Sequence, residues 1–230
     1  MTKLPRVPLA VVFDMDGLLF DTERLYQKAL GTASAEIGCE MHSEVFESLI
    51  GTPWPLSRRM LFDRYGESYP VDRLADVWIA HFRVLADNEL ELKAGTVELL
   101  AFLDDLALPR AIATSSSHRT VGHHLGAHKL ADRFHHVVAS GDYENGKPAP
   151  DPYLVAARRL NVDPRHCLAL EDSFNGIRWA ASAGMMAVMV PDLVQPTGEI
   201  RRLCAAIAAD LHEVRELIGS SHRGSAAASS

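Results

Sequence analysis

Residues 9–17 read Leu-Ala-Val-Val-Phe-Asp-Met-Asp-Gly, a short apolar run that ends in two aspartates and a glycine. A continuous apolar run of this length is typical of a strand that is buried on both faces of a parallel sheet. Similar runs recur at residues 110–113, 136–139, 166–170 and 187–190, with helical patterns between them. The alternation predicts an α/β fold built on a doubly wound parallel sheet.

The interval between the first two predicted strands is far longer than one crossover helix needs. Within it, apolar residues recur at helical spacing, as in the run from Leu74 to Leu85. We therefore expect an inserted all-helical cap domain at residues 21–92 and a core domain made of residues 1–20 and 93–218. The Ser-, Ala- and Gly-rich segment 219–230 is expected to be a disordered tail.

The composition excludes several classes of protein. The chain of 230 residues is 47% hydrophobic and 23% charged, as in ordinary globular proteins, and its net charge of −7 argues against general nucleic-acid binding. The apolar runs are too short for a membrane span, and the N-terminus lacks the apolar region of a signal peptide. Cys39, Cys167 and Cys204 have no C-x-x-C spacing and are expected to be buried thiols. These features predict a cytoplasmic protein with no membrane or nucleic-acid partner.

Polar side chains follow four of the predicted strands at the point where each strand ends. They are Asp14 and Asp16 after the first strand, Ser115 and Ser116 after the second, Lys147 after the third, and Glu171 and Asp172 after the fourth. Ligands of an open parallel sheet bind outside the carboxyl ends of its strands. We therefore expect these side chains to line one cleft.

The expected cleft holds four carboxylates and one amine, Lys147, and such a cluster requires a cation. Carboxylate oxygens favour a hard ion. Mg²⁺ is usually bound by a few carboxylates together with a phosphate, so this set of side chains suits Mg²⁺. A calcium loop of the EF-hand type is excluded because its required glycine and acid would fall on Leu19 and Leu25. The cation, Lys147 and the Ser115 hydroxyl could together bind a phosphate group, and a carboxylate nucleophile would form an acyl phosphate that water can hydrolyse.

Four motifs in combination resemble the haloacid dehalogenase superfamily, in particular its phosphatase and phosphomutase branch with a helical cap inserted after the first strand. The motifs lie at residues 12–23, 113–115, 146–151 and 170–176, and the resemblance extends over about residues 7–192. It implies that Asp14 is the nucleophile and that Asp16 is the acid and base. It also implies that Ser115 and Lys147 hold the phosphoryl oxygens.

The resemblance further implies a Mg²⁺ ion held by Asp14, the backbone carbonyl of Asp16, and Asp172. Glu171 would either contact the ion directly or lie behind the residues that contact it. Mutases of this branch that act on β-glucose 1-phosphate carry a His, an Arg and a Lys in the cap. This sequence has Tyr26, Trp54 and His81 at those positions. We therefore expect hydrolysis of a small phosphorylated metabolite, such as a sugar phosphate. A phosphosugar mutase and a non-enzymatic phospho-acceptor module remain alternatives.

Further candidate substrate-binding residues are Ser116, Trp54 and His118. The prolines around Trp54 disfavour a helix there, and this residue is expected either to pack between the domains or to select the substrate. His118 either contacts the leaving group or begins a helix. His81 is expected to be a core histidine, and the pair His124 and His128 is expected to lie on a solvated helix rather than in a zinc site. The protein is expected to be a monomer or a weak homodimer.

Overall fold

The computed structural model describes residues 3–39, 41–49, 52, 54–146 and 149–228. The chain divides into two compact units. The core unit comprises residues 1–20 and 92–230, and the helical unit comprises residues 21–91. None of the helices in the described part of the chain has the length and apolar character needed to cross a membrane.

The strands of the described residues form one six-stranded parallel sheet in the order β3-β2-β1-β4-β5-β6. The strands are β1 (Ala10–Phe13), β2 (Arg110–Ser117), β3 (His136–Ser140), β4 (Cys167–Glu171), β5 (Met186–Met189) and β6 (Ala206–Ile207). Strand β1 lies between β2 and β4, so the strand order reverses there. The predicted α/β fold with a doubly wound parallel sheet is confirmed.

Helices account for most of the remaining described chain. They are α1 (Thr22–Ile37), α2 (Ser43–Leu49), α3 (Trp54–Tyr65), α4 (Val71–Glu89), α5 (Thr96–Asp105), α6 (His118–Ala127), α7 (Asp151–Arg159), α8 (Phe174–Ser182), α9 (Gly198–Leu203) and α10 (Leu211–Ala228). Helices α1–α4 belong to the helical unit, and α5–α10 belong to the core unit. The helices of the core unit cover a sheet whose central strands β1 and β4 are buried along their full lengths.

The helical unit has its own apolar core, in which α1 packs against α4. The ring of Tyr26 stacks on Phe82 with centroids 3.7 Å apart, and Trp78 Nε1 donates a hydrogen bond to the Tyr26 carbonyl at 2.8 Å. Leu30 and Leu74 are buried beside them. These contacts fix the facing sides of the two long helices.

Three sequence-based expectations about local structure are wrong. Strand β2 continues to Ser117, beyond the predicted end at Ala113, through a register shift against β3. Helix α3 begins at Trp54, because Pro55 falls in the first turn, where a backbone N–H is not needed. Helix α10 runs to Ala228 through most of the segment expected to be disordered; the alanines there have high helix propensity.

The histidines and cysteines also differ in part from expectation. His124 is 2% exposed and packs against Phe20, with ring centroids 5.5 Å apart, so it does not lie on a solvated face. His81 is half-buried at the surface, where its Nε2 lies 2.8 Å from Glu36 Oε2. Cys167 is fully buried, which raises the pKa of its thiol to about 12. Cys39 and Cys204 are only half-buried.

Candidate active site

The register of the sheet places Asp14 beside the end of β4. Phe13 lies opposite Leu170 in the parallel pair, and the Asp14 amide donates a hydrogen bond to the Leu170 carbonyl at 3.0 Å. Glu171 is the last residue of β4, and Asp172 follows it. Two strands that are distant in sequence therefore end at one level and bring their acids together.

Asp14, Glu171 and Asp172 form a compact buried cluster. One carboxylate oxygen from each lies within 4.8 Å of those from the other two, and the residues are 6%, 0% and 3% exposed. At such distances two ionised carboxylates repel by roughly 3.5 kcal/mol at an effective dielectric constant of about 20. A divalent cation would offset this repulsion, and an all-oxygen ligand set suits Mg²⁺. The residues present therefore fit the metal that the sequence predicts.

Gly176 makes room for the Glu171 carboxylate, and sequence reasoning did not identify this role. A Cβ atom at position 176 would lie 1.8 Å from Glu171 Oε2 and 2.0 Å from Cδ. The Ser173 hydroxyl caps α8 by accepting a hydrogen bond from the Gly176 amide at 3.1 Å. The positive end of the helix dipole also favours a carboxylate at this position. The start of α8 therefore positions Glu171.

Asp16 lies in a tight turn that follows Asp14. Gly17 adopts a φ of 77°, which favours glycine, and its amide donates to the Phe20 carbonyl at 3.0 Å. The Ser116 hydroxyl donates a hydrogen bond of 2.8 Å to Asp16 Oδ2. The structure thus places Ser116, a candidate substrate-binding residue, in contact with the candidate acid and base.

The polar side chains at the end of β2 are less buried than those of the acidic cluster. Ser115 is exposed and Ser116 is half-buried. The Ser116 amide donates to Thr114 Oγ1 at 3.0 Å, and the Tyr143 hydroxyl donates to the Thr114 carbonyl at 3.2 Å. The first bond lies within the irregular end of β2, and the second joins this end to the turn that follows β3.

His118 begins α6 and lies close to an aspartate that follows β3. Its Nε2 is 3.0 Å from Asp142 Oδ2, an atom that also accepts hydrogen bonds from Arg159 and from the Ala139 amide, both at 3.1 Å. Burial by itself would raise the pKa of Asp142, but the hydrogen bonds from Arg159, Ala139 and His118 lower it to about 2.

Two candidate site residues remain, Lys147 and Trp54. Lys147 falls outside the residues that the structure describes. Trp54 belongs to the helical unit, where it starts α3 and is 39% exposed. The structure therefore brings together Asp14, Glu171 and Asp172 as one group and Asp16 with Ser116 as another.

Comparison with known proteins identifies the family. The model of the haloacid dehalogenase-like hydrolases matches residues 11–190. The chain belongs to this family. The resemblance seen in its sequence motifs is thereby confirmed, and the matched region begins in β1 and ends just after β5.

Relatives within the haloacid dehalogenase-like hydrolases include named phosphatases. The chain is 40% identical to a probable pseudouridine-5'-phosphatase of Drosophila melanogaster, over 83% of this chain and 84% of the relative. The structure is similar to CbbY from Rhodobacter sphaeroides in complex with phosphate, with a TM-score of 0.71, 26% identity, and coverage of 90% and 96%. It is also similar to a putative beta-phosphoglucomutase from Thermotoga maritima, with a TM-score of 0.73, 27% identity, and coverage of 92% and 98%. The chain is a phosphatase of this family.

Proposed function

We propose that this phosphatase hydrolyses a small phosphorylated metabolite in a Mg²⁺-dependent reaction that passes through an aspartyl phosphate on Asp14. The observation that carries the proposal is the buried cluster of Asp14, Glu171 and Asp172 at the carboxyl edge of the sheet. Asp14, Asp172, Glu171 and the Asp16 backbone carbonyl would hold the ion. When bound, Mg²⁺ would supply positive charge that offsets the charge of the phosphate.

In the first step, a carboxylate oxygen of Asp14 attacks the phosphorus atom of the ester. The bond between phosphorus and the ester oxygen breaks, and protonated Asp16 gives its proton to the departing oxygen. Ser115 and Lys147 would hold the other phosphoryl oxygens. The products of this step are the alcohol and an aspartyl phosphate.

In the second step, the ionised Asp16 takes a proton from a water molecule, whose oxygen attacks the phosphorus atom. The bond between phosphorus and the Asp14 oxygen breaks, which releases inorganic phosphate and restores both side chains. The hydrogen bond from Ser116 to Asp16 would orient the carboxyl group for both proton transfers.

The rival function is a phosphosugar mutase, which the similarity to a putative beta-phosphoglucomutase favours. The side chains of the helical unit support hydrolysis instead. Tyr26 is held in apolar packing against Phe82, and His81 lies beside Glu36, whereas the resemblance places a His and a Lys at positions 26 and 81 in the mutases. A mutase would interconvert hexose phosphate isomers in the presence of a trace of bisphosphate, with little release of phosphate.

The direct test measures phosphate release from a panel of small phosphate esters, with and without Mg²⁺. The panel includes pseudouridine 5'-phosphate, which the name of the Drosophila relative suggests, together with sugar phosphates. We expect hydrolysis of at least one ester, and we expect it to stop when Mg²⁺ is chelated. A stable phosphorylated protein without turnover on any ester would support the phospho-acceptor alternative.

The nucleophile is tested with Asp14→Asn. Loss of a covalent nucleophile should lower turnover by several powers of ten. Asp105→Asn, which changes an exposed aspartate of α5 in the same unit, is the matched control and should retain activity. Retention of more than about a tenth of the wild-type rate by Asp14→Asn would show that the nucleophile is assigned wrongly.

A further inference from the structure

The end of β2 departs from regular pairing close to the candidate acid and base. Ala113 pairs with Val138 of β3. The next pair joins Ser117 to Ser140, so residues 114–116 of β2 face a single residue of β3. We call residues 114–116 the β2 bulge. A bulged segment keeps its position only if other groups satisfy the backbone polar atoms that the regular ladder leaves without a partner.

The Tyr143 side chain supplies such a partner from outside the strand. Its hydroxyl donates a hydrogen bond of 3.2 Å to the carbonyl of Thr114, the first residue of the β2 bulge. Thr114 is 1% exposed, so its carbonyl depends on a partner within the protein. Tyr143 therefore holds one end of the β2 bulge.

Tyr143 is itself held by the turn that follows β3. The turn is closed by the Asp142 amide, which donates to the Ala139 carbonyl at 3.0 Å, and Gly141 adopts a φ of 101° within it. Asp142 Oδ2 accepts a hydrogen bond from the Ala139 amide at 3.1 Å. The Tyr143 ring is half-buried and packs against the apolar core that contains Val138. The fold of the core unit therefore fixes the position of this hydroxyl before a substrate binds.

Two further hydrogen bonds lead from the β2 bulge to Asp16. The Ser116 amide donates to Thr114 Oγ1 at 3.0 Å, which ties the two ends of the bulge together. The Ser116 hydroxyl donates to Asp16 Oδ2 at 2.8 Å. Tyr143, Thr114, Ser116 and Asp16 all belong to the core unit, so these contacts lie within one compact unit.

We propose that Tyr143 is a positioning residue for the acid and base, because it holds the β2 bulge at Thr114 and so directs the Ser116 hydroxyl toward Asp16. This inference rests on the proposed phosphatase function. Tyr143 acts through Ser116, and no proton of the reaction passes through the Tyr143 hydroxyl. A general acid transfers its proton only within hydrogen-bond reach, about 2.6–3.2 Å between heavy atoms, so a small displacement of the Asp16 carboxyl slows the transfer.

The kinetic test uses Tyr143→Phe, which removes the hydroxyl and keeps the ring. It compares p-nitrophenyl phosphate with the alkyl phosphate that the wild type hydrolyses fastest. A departing alkoxide must be protonated, whereas nitrophenolate departs without a proton, so only the alkyl ester depends on Asp16 as an acid in the step that kcat/KM reports.

We expect kcat/KM of Tyr143→Phe for the alkyl phosphate to fall by about three- to tenfold, the factor that corresponds to one neutral hydrogen bond. For p-nitrophenyl phosphate it should fall by less than about twofold. An equal fall for both esters would show that the hydroxyl supports phosphate binding or folding, and would overturn the inference. An unchanged kcat/KM for the alkyl phosphate would overturn it as well.

A double-mutant cycle tests whether Tyr143 acts through Ser116. In the background of Ser116→Ala, Tyr143→Phe should lower kcat/KM for the alkyl phosphate by less than about twofold, because the hydroxyl that it positions is gone. Effects that multiply would contradict the inference. Tyr65→Phe is the matched control, since it removes the hydroxyl of a half-buried tyrosine of the helical unit that donates to Met41 Sδ at 3.9 Å. It should leave kcat/KM unchanged in both backgrounds.

Amide hydrogen exchange separates this inference from the proposed function, because NMR measures it without any ester. Exchange of the Ser116 amide should be about three- to tenfold faster in Tyr143→Phe and unchanged in Tyr65→Phe. Faster exchange without phosphate release from any ester would support the hold of Tyr143 on the β2 bulge and overturn the phosphatase proposal. Unchanged exchange together with unchanged kcat/KM would overturn the inference and leave the phosphatase function standing.

Discussion

At the ends of β1 and β4 the carboxylates are almost fully buried, whereas at the ends of β2 and β3 the polar side chains are exposed or half-buried. Asp14, Glu171 and Asp172 form the first group, which we call the acidic half of the sheet edge. Ser115, Ser116, His118 and Asp142 form the second group, which we call the polar half. The acidic half follows a regular parallel register, and the polar half follows a register shift in β2.

In the proposed function, the acidic half would hold a metal ion and the polar half would admit the substrate. Buried carboxylates are held by the sheet and by α8, so their positions change little and a cation can be bound with defined geometry. Side chains of the polar half have solvent around them and can adjust to a group that enters. Substitutions in the acidic half should therefore affect activity most, and those in the polar half least.

Among the variants that keep Asp14, Glu171 and Asp172 themselves, the largest effect is expected from Gly176→Ala. The new Cβ would lie 1.8 Å from Glu171 Oε2, so the carboxylate must move away from the position it holds in the acidic half. Displaced metal-site groups and their supports typically cost 10–100-fold in metal affinity or activity. We expect the Mg²⁺ concentration for half-maximal phosphate release to rise by at least about tenfold.

The direction of the change in Gly176→Ala distinguishes crowding of the Glu171 carboxylate from the higher helix propensity of alanine. Alanine is favoured over glycine in a helix by about 1 kcal/mol, so propensity alone would stabilise the variant. Gly126→Ala is the matched control, because a Cβ at this helical glycine meets nothing within 4 Å. An unchanged Mg²⁺ requirement in Gly176→Ala would show that the acidic half is less rigid than its burial indicates.

An intermediate effect is expected from Ser116→Ala, because Ser116 of the polar half donates a hydrogen bond to Asp16, two residues after Asp14 of the acidic half. A hydrogen bond to a charged group contributes about 1.5–3 kcal/mol, so kcat should fall by about tenfold or more while the Mg²⁺ requirement stays unchanged. Ser116→Thr keeps a hydroxyl and should recover part of the rate, and Ser182→Ala, at an exposed position of α8, is the control. A raised Mg²⁺ requirement in Ser116→Ala would mean that the two halves are not separable.

The same contrast explains which parts of the site the sequence could predict. Asp14 and Asp172 follow apolar strands, and the rule that parallel strands end at one edge was sufficient to bring them together. The role of Gly176 depends on how closely the start of α8 approaches Glu171, which no spacing rule provides. The burial of His124 likewise depends on which face of α6 packs against Phe20.

In the helical unit, amphipathic spacing predicted helices but could not predict their contacts. The pattern from Leu74 to Leu85 correctly placed α4, whereas His81 lies on the surface beside Glu36 instead of in the core. Periodicity gives the direction of a side chain around its own helix, but the neighbouring helix decides what that side chain meets.

The smallest effect is expected in the polar half, from the pH dependence of stability at Asp142. Hydrogen bonds from Arg159, the Ala139 amide and His118 outweigh the effect of burial and lower the pKa of Asp142 to about 2, below its ordinary value of 3.8. A carboxyl group whose pKa is lowered by folding stabilises the folded protein while it is ionised in both states. This contribution is fully present above pH 4 and is lost as the pH falls through the interval from about 4 to about 2.

Asp142→Asn should therefore be less stable than the wild type at pH 6, by about 1 kcal/mol because the ion pairs lie near the surface. The difference should shrink as the pH is lowered from 4 to 3, which urea denaturation followed by circular dichroism would measure. Asp132→Asn, at an exposed position of the same unit, should show no comparable loss at pH 6. A difference between Asp142→Asn and the wild type that stays constant down to pH 3 would indicate that the Asp142 side chain acts through packing and that its charge contributes little. Because the proposed Mg²⁺ would be bound by the acidic half, whereas Asp142 of the polar half pairs with Arg159, removal of Mg²⁺ should leave this pH dependence unchanged.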